Sequence, residues 1–351
     1  MSGVMTATRA FTDRLLSWLR GKGRILIVVH DNPDPDCFAS ALALYHLFIV
    51  KLNRESVIAF SGMIGRSENL AMARLLEIPL TPLEIIDPTE FNVICMLDTQ
   101  PGTGNNSLPA GLTADLVIDH HPMRDASKEC RWVDIRDNYG ATASILYEYL
   151  EAQEVGLGTK LATALFYAIK SETQDLGRES EEHDRKAYLS LFPMTNKKLL
   201  YEITHPKLPA EYFVSLKTAI ENARIYGPVL ISRLESIVFP EIVAELADLL
   251  LNLEGVDTIL CSGVYNEDLI LSMRTARTDI NSGEMMKRVV SSRGVAGGHG
   301  MMGGGRIDKV RMDDGTEDKV EELFLHELGV EMVGARQLSG RGVDNGKSGA
   351  V

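Results

Sequence analysis

Residues 116–122 read Leu116-Val117-Ile118-Asp119-His120-His121-Pro122, an apolar run that ends in one carboxylate and two imidazoles. Packing alone gives no reason for three ligand-type side chains at the end of a strand, whereas metal binding does. Three other places end in the same manner. Arg24–Val29 runs into His30-Asp31-Asn32-Pro33-Asp34-Pro35-Asp36, Val93–Leu97 runs into Asp98, and Leu161–Ile169 leads to Asp175. We expect these four ends to converge on one metal site.

Working outward, short apolar runs alternate with amphipathic ones. Strands are expected at Arg24–Val29, Ser56–Phe60, Asn92–Asp98 and Asp115–Asp119, with an edge strand at Trp132–Ile135. Helices are expected at Thr8–Leu19, Cys37–Leu52, Glu68–Leu76, Ala143–Gln153 and Lys160–Thr173. Strands apolar on both faces, alternating with helices, predict an α/β fold with a mostly parallel, doubly wound sheet covered on both sides. From about Ser180 the pattern changes to Lys- and Pro-containing helical stretches. A second, smaller α/β block follows, with a hairpin expected around Asn266-Glu267. The expected division is an N-terminal helix (1–21), a metal-binding domain (22–190), a linker (191–215), a substrate-binding domain (216–335) and a polar, Gly-rich disordered tail (336–351).

With 351 residues, 45% apolar and 24% charged, the chain suits two globular domains. A net charge of −13 argues against broad binding to duplex nucleic acid, which needs a basic face. Cys37, Cys95, Cys130 and Cys261 are scattered, without a C-x-x-C pair, as in reduced cytoplasmic proteins. Ala39–Val50 contains His46 and is too short to span a bilayer, and residues 1–20 are amphipathic, so neither a membrane anchor nor a signal peptide is expected.

Each chemical reading has a plainer competitor. Pro33 and Pro35 fix the backbone around Asp34 and Asp36, which can be metal ligands or a Pro/Asp turn in which Asp36 caps the next helix. Asp98 and Asp175, taken singly, read as a turn cap and a helix exit. Asp119-His120-His121 is the most specific signal. Imidazoles suit Mn, Fe, Co or Zn and carboxylates suit Mg and Mn, so the mixed set favours Mn²⁺ or a similar ion. Either histidine can instead be a hydrogen bonder or an acid. Ligands at the carboxyl ends of several strands can hold two divalent ions, and two cations roughly 3.5–4 Å apart clamp the oxygens of a phosphoryl displacement.

In the second block, Arg274 ends a strand, Arg277 follows it, and arginine's planar cation suits phosphate. Gly297-Gly298-His299-Gly300-Met301-Met302-Gly303-Gly304-Gly305 reads as a flexible loop whose N–H groups can cradle an anion, or as a mobile linker.

The ordered set His30-x-x-x-Asp34-x-Asp36, Asp98, Asp119-His120-His121 and Asp175 resembles the DHH phosphoesterase family over roughly residues 22–330. Tyr139–Ile145 resembles that family's helix start after the triplet, and Gly297-Gly298-His299 with Arg274 resembles its associated second domain. Cys37 departs from the pattern, relatives more often carrying a small residue such as Ala. The resemblance implies two Mn²⁺ ions, with Mg²⁺ or Co²⁺ as alternatives. His30, Asp34 and Asp98 would hold one, and Asp36, Asp98, His120 and Asp175 the other, with Asp98 bridging. His121 would stand beside the scissile phosphate, Asp119 would support the histidines, and Arg274, Gly298 and His299 would hold the substrate across an interdomain cleft. The implied activity is two-metal hydroxide attack on short oligonucleotides, with 3′-phosphoadenosine 5′-phosphate as a further substrate. The partner is then a short single-stranded oligonucleotide or a nucleotide, with no duplex and no membrane, a homodimer being one option. The alternatives are a pyrophosphatase or polyphosphatase, a single-strand exonuclease, and a non-catalytic nucleotide-binding module.

Overall fold

The computed structural model describes residues 3–177 and 180–339. It divides into two compact units, residues 1–206 and 207–351.

The first unit is built on a six-stranded sheet of β1 (Ile25–Val28), β2 (Val57–Phe60), β3 (Leu80–Pro82), β4 (Val93–Leu97), β5 (Leu116–Asp119) and β6 (Trp132–Ile135). Every pairing is parallel, in the order β3-β2-β1-β4-β5-β6. The chain winds outward one way from β1 through β2 and the other way from β4 through β5. The carboxyl ends of β1 and β4 therefore flank the point where the winding reverses, where open α/β sheets hold their ligands. All residues of β1, β4 and β5 are buried, as the unbroken apolar runs require.

Alternate side chains sort to the two faces. Ile25, Ile27, Val93, Cys95, Leu97, Leu116 and Ile118 share a core with Leu15, Leu16 and Leu19 of α1 (Gly3–Leu19). The same core takes side chains from α2 (Pro35–Leu52), α3 (Ser67–Leu75), α4 (Thr142–Ala152) and α5 (Thr159–Glu172). Leu26, Val28, Ala59 and Ile94 point the other way and are covered by Leu83, Ile86, Phe91, Leu108 and Leu112, which lie outside the long helices. α2 is long and apolar enough to cross a membrane by length and composition, yet most of it is buried. Its apolar excess serves packing against α4 and α5.

α6 (Glu182–Leu191) and α7 (Lys197–Thr204) complete this unit. The expected linker, 191–215, is thus largely helical, and the division between units falls after Pro206. The second unit starts with α8 (Ala210–Glu221). Its seven-stranded sheet comprises β7 (Arg224–Tyr226), β8 (Val229–Ser236), β9 (Thr258–Tyr265), β10 (Asp268–Thr275), β11 (Gly294–His299), β12 (Met302–Ile307) and β13 (Arg336–Gln337), in the order β11-β12-β10-β9-β8-β7-β13. Only β8 and β9 run parallel. α9 (Ile242–Leu250), α10 (Ser282–Val290) and α11 (Thr316–Glu327) pack on it. The β9–β10 hairpin turns at Asn266 and Glu267, both with positive φ, as a tight two-residue turn demands. Ordered chain continues past residue 335, where the tail was expected to begin, because Arg336 and Gln337 pair with β7. Residues 340–351, the rest of that expected tail, lie outside the described residues.

Candidate metal centre

Asp98 stands immediately after β4 with φ of 57°, a left-handed conformation that costs a non-glycine residue energy. The turn aims a carboxylate that is 3% exposed into the space between two imidazoles. Its Oδ2 lies 3.7 Å from His30 Nε2 and its Oδ1 3.6 Å from His120 Nε2. One carboxylate thus offers a separate oxygen to each histidine.

His30 follows β1, and its Nε2 is also 3.5 Å from Asp34 Oδ2. The other oxygen of Asp34 accepts the N–H groups of Asp36 and Cys37, so Asp34 caps α2 while keeping one oxygen toward His30. Asp36 is not the cap. It lies in the first turn of α2, 1% exposed, and accepts the N–H groups of Thr142 at 2.7 Å and Ala143 at 2.8 Å. These two N–H groups open α4, whose positive end suits a carboxylate. The Thr142 hydroxyl donates to Asp98 Oδ1 at 2.9 Å.

The triplet divides its work. His120 Nδ1 lies 3.1 Å from the Tyr139 carbonyl, which turns Nε2 toward Asp36 and Asp98. Asp119 is buried and holds His121 Nδ1 at 2.9 Å, while Gln100 Nε2 donates to its other oxygen at 2.7 Å. Gln100 in turn is fixed through Oε1, which accepts from Arg124 N and Ser127 Oγ.

Charge in this small volume is unbalanced. Burial, with the charges of Asp98, Glu172 and Asp34, pushes the Asp36 carboxyl well above the carboxylate range. Burial and Asp34 raise Asp98 in the same way. Burial works against charge on His121 too, but the Asp119 hydrogen bond and the charges of Asp98, Asp119 and Glu172 hold its imidazole at about 9. A cation is the ordinary remedy for carboxylates packed this closely. The fit is good. His120 Nε2 is buried without a hydrogen-bond partner, and its 3.6 and 3.9 Å separations from Asp98 and Asp36 exceed a hydrogen bond. Ligand atoms of Asp98, Asp119, His120 and His121 lie within 4.8 Å of one another, as do those of His30, Asp34 and Cys37. Two adjoining donor sets share the space around Asp98.

Asp175 is not brought to this centre. Its side chain is 58% exposed, ion-paired with Lys170, and accepts the Tyr188 hydroxyl at 2.9 Å. Gln174, Asp175 and Leu176 all have positive φ, and this left-handed run carries the chain away after α5. The carboxylate whose charge reaches Asp36 and His121 is Glu172, in the last turn of α5. Sequence reasoning passed over it because it sits inside a helical pattern. It likewise passed over Asp184 of α6, a buried carboxylate that accepts from Gly140 N at 2.8 Å, Glu181 N at 2.9 Å and Ser144 Oγ at 2.5 Å. Asp184 thereby holds the segment that supplies the Tyr139 carbonyl and the Thr142 and Ala143 donors.

In the second unit the departure from expectation is confined to the Gly-rich segment. Arg274 is 8% exposed, with Nε 2.5 Å from Asp248 Oδ1 of α9 and Nη1 donating to Ser272 Oγ and the Met273 carbonyl. These contacts tie β10 to α9. The Gly-rich segment is no loose loop: Gly294–His299 and Met302–Ile307 are paired strands at the edge of the seven-stranded sheet. Gly298, with φ of 142°, faces Gly303, and an added Cβ would lie 2.2 Å from the Met302 carbonyl oxygen. His299 ends β11 opposite Met302.

Imidazoles and carboxylates gathered at the switch point of a parallel sheet make a candidate site for divalent cations. The comparisons agree. Residues 24–169 match the DHH family N-terminal domain and residues 227–326 the DHHA1 domain. The chain thus carries a DHH domain followed by a DHHA1 domain. It is 32% identical over 321 residues to Uncharacterized protein MJ1633 of Methanocaldococcus jannaschii, covering 88% of this chain and 65% of that protein. It is 26% identical over 216 residues to the bifunctional oligoribonuclease and PAP phosphatase NrnA of Bacillus subtilis, covering 58% of this chain and 60% of that protein. The chain therefore spans somewhat less than two thirds of the length of either curated relative. Among solved structures, an exopolyphosphatase-related protein from Bacteroides fragilis superposes with a TM-score of 0.72 at 15% identity, over 91% of this chain and 96% of that one. That likeness shows the fold.

Proposed function

We propose that this chain is a metal-dependent phosphoesterase that hydrolyses short oligonucleotides to mononucleotides and removes phosphate from nucleotides such as 3′-phosphoadenosine 5′-phosphate. The observation that carries the reading is Asp98, which presents one oxygen to His30 and the other to His120, next to a buried His120 Nε2 without a partner. Similarity to an oligoribonuclease and PAP phosphatase supports the nucleotidic substrate.

His30, Asp34 and Asp98 would hold one divalent ion, and Asp36, Asp98 and His120 the other, with Glu172 in place of the expected Asp175. The mixture of imidazoles and carboxylates in this donor set favours Mn²⁺, with Mg²⁺ or Co²⁺ as alternatives. Ions bound there supply positive charge to the displacement and make hydroxide available at neutral pH. The protein groups do the rest. Thr142 and Ala143 fix Asp36, and Tyr139 fixes the tautomer of His120. His121, oriented by Asp119, can hold a phosphate oxygen or, when protonated, give its proton to the leaving oxygen.

The test is a product time course with Mn²⁺ on a 5′-phosphorylated RNA dinucleotide, a long RNA, single-stranded DNA, 3′-phosphoadenosine 5′-phosphate, a cyclic dinucleotide and pyrophosphate. Fast release of mononucleotide from the dinucleotide, with slow attack on the long RNA, is expected. Cleavage of pyrophosphate alone would replace this reading by a pyrophosphatase. Absence of turnover with metal bound would replace it by a nucleotide-binding module.

A further inference from the structure

We propose that Cys37 supplies a thiolate ligand to the ion held by His30 and Asp34, making this half of the centre selective for a borderline divalent cation such as Zn²⁺, Co²⁺ or Fe²⁺ over Mg²⁺. The inference rests on the metal reading above. Cys37 is fully buried as the third residue of α2. A buried cysteine is commonly a small hydrophobe among apolar neighbours. Cys95 answers to that description, lying on β4 within the main core. Cys37 borders the same core, but its Sγ, a ring nitrogen of His30 and a carboxylate oxygen of Asp34 also lie within 4.8 Å of one another. Its Sγ also donates to the Asp34 carbonyl at 3.3 Å, so the sulfur faces the turn that carries the ligands. Burial pushes the Cys37 thiol up to about 12, so its proton is lost only when a bound cation displaces it.

On binding, the S–H bond breaks, the proton leaves to solvent, and a sulfur–metal bond forms without change of oxidation state. Thiolate and imidazole raise affinity for borderline and soft ions, whereas Mg²⁺ is served by oxygen. Three protein ligands of different kinds, His30, Asp34 and Cys37, then hold one ion, with Asp98 reaching it from β4.

Titration of the full chain with Co²⁺ tests this, followed by absorption spectroscopy and calorimetry for the wild type, Cys37→Ala and Cys37→Ser. The expected result is an intense near-ultraviolet thiolate-to-cobalt band in the wild type that both variants lack while still binding Co²⁺. Zn²⁺ affinity should drop about tenfold or more in the variants, with Mg²⁺ affinity unchanged. Bound Co²⁺ without that band, or a band that survives in both variants, would overturn the role of Cys37. Failure of the wild type to bind Co²⁺ at all would overturn the metal centre itself, so the two failures are distinguishable.

Discussion

Thr142 Oγ1 donates to Asp98 Oδ1 at 2.9 Å, while the N–H of the same residue donates to Asp36 Oδ2 at 2.7 Å. One residue at the start of α4 therefore sets the aim of two carboxylates that come from β4 and α2. Replacing Thr142 by Val keeps the shape and the N–H but removes the hydroxyl. Divalent-ion affinity should fall about tenfold, by calorimetry, with little loss of thermal stability. Unchanged affinity would show that Asp98 is aimed by its backbone alone.

Asp98→Asn should lower turnover about a hundredfold or more and leave the protein folded, since an amide cannot offer the anionic oxygens that the proposed two-ion site needs. Circular dichroism establishes the fold and the dinucleotide assay reads the loss. An active, folded Asp98→Asn protein would remove Asp98 from the bridging position.

Glu172 and Asp175 make a paired test of the α5 end. Glu172→Gln should weaken binding of the second ion about tenfold or more, while Asp175→Asn should change it little. The reverse order would show that the left-handed segment after α5 rearranges when metal binds.

Asp184 accepts hydrogen bonds from Gly140, Glu181 and Ser144 and is fully buried. Asp184→Ala leaves those donors unpaired and should cost about 2–4 kcal/mol in chemical denaturation. Metal affinity measured well below the melting temperature should fall as well, because the segment from Tyr139 to Ala143 loses its anchor. A variant that is merely less stable would make Asp184 a stability residue only.

The centre also predicts how the metal-free protein responds to pH. His121 rises from an ordinary value of 6.5 to about 9 on folding, so its stabilising contribution is complete below pH 6.5 and is lost as pH rises through 9. Asp36 and Asp98 act in the same direction, since their raised pKa values make ionisation oppose folding. In chelator, the melting temperature of the wild type should fall between pH 6.5 and 9, and His121→Gln should flatten that slope. Saturating Mn²⁺ should raise the melting temperature most at the alkaline end, where the carboxylates are ionised and binding does not compete with protons. A slope that is the same in His121→Gln would assign the effect to other groups.

Much of this was legible in the sequence because strand burial and strand-end chemistry are local. β1, β4 and β5 are short enough that their apolar runs name them, and His30, Asp34, Asp36, Asp98, Asp119, His120 and His121 follow at once in the chain. The Asn266-Glu267 turn is local in the same sense. What only the tertiary structure decided involves partners distant in sequence. Asp36 meets Thr142 and Ala143, and Asp184 meets Gly140 and Ser144, across intervals that no periodicity spans. Glu172 rather than Asp175 faces the centre because the backbone reverses hand after α5, and only the φ values reveal that. Arg274 meets Asp248 on a neighbouring helix, and Gly303 and Gly305 lie in a strand against which α10 packs so closely that an added Cβ would meet Ser282 and Met286 or Val290. A ligand's chemical type is a property of its residue, whereas the direction in which it points is a property of everything packed around it.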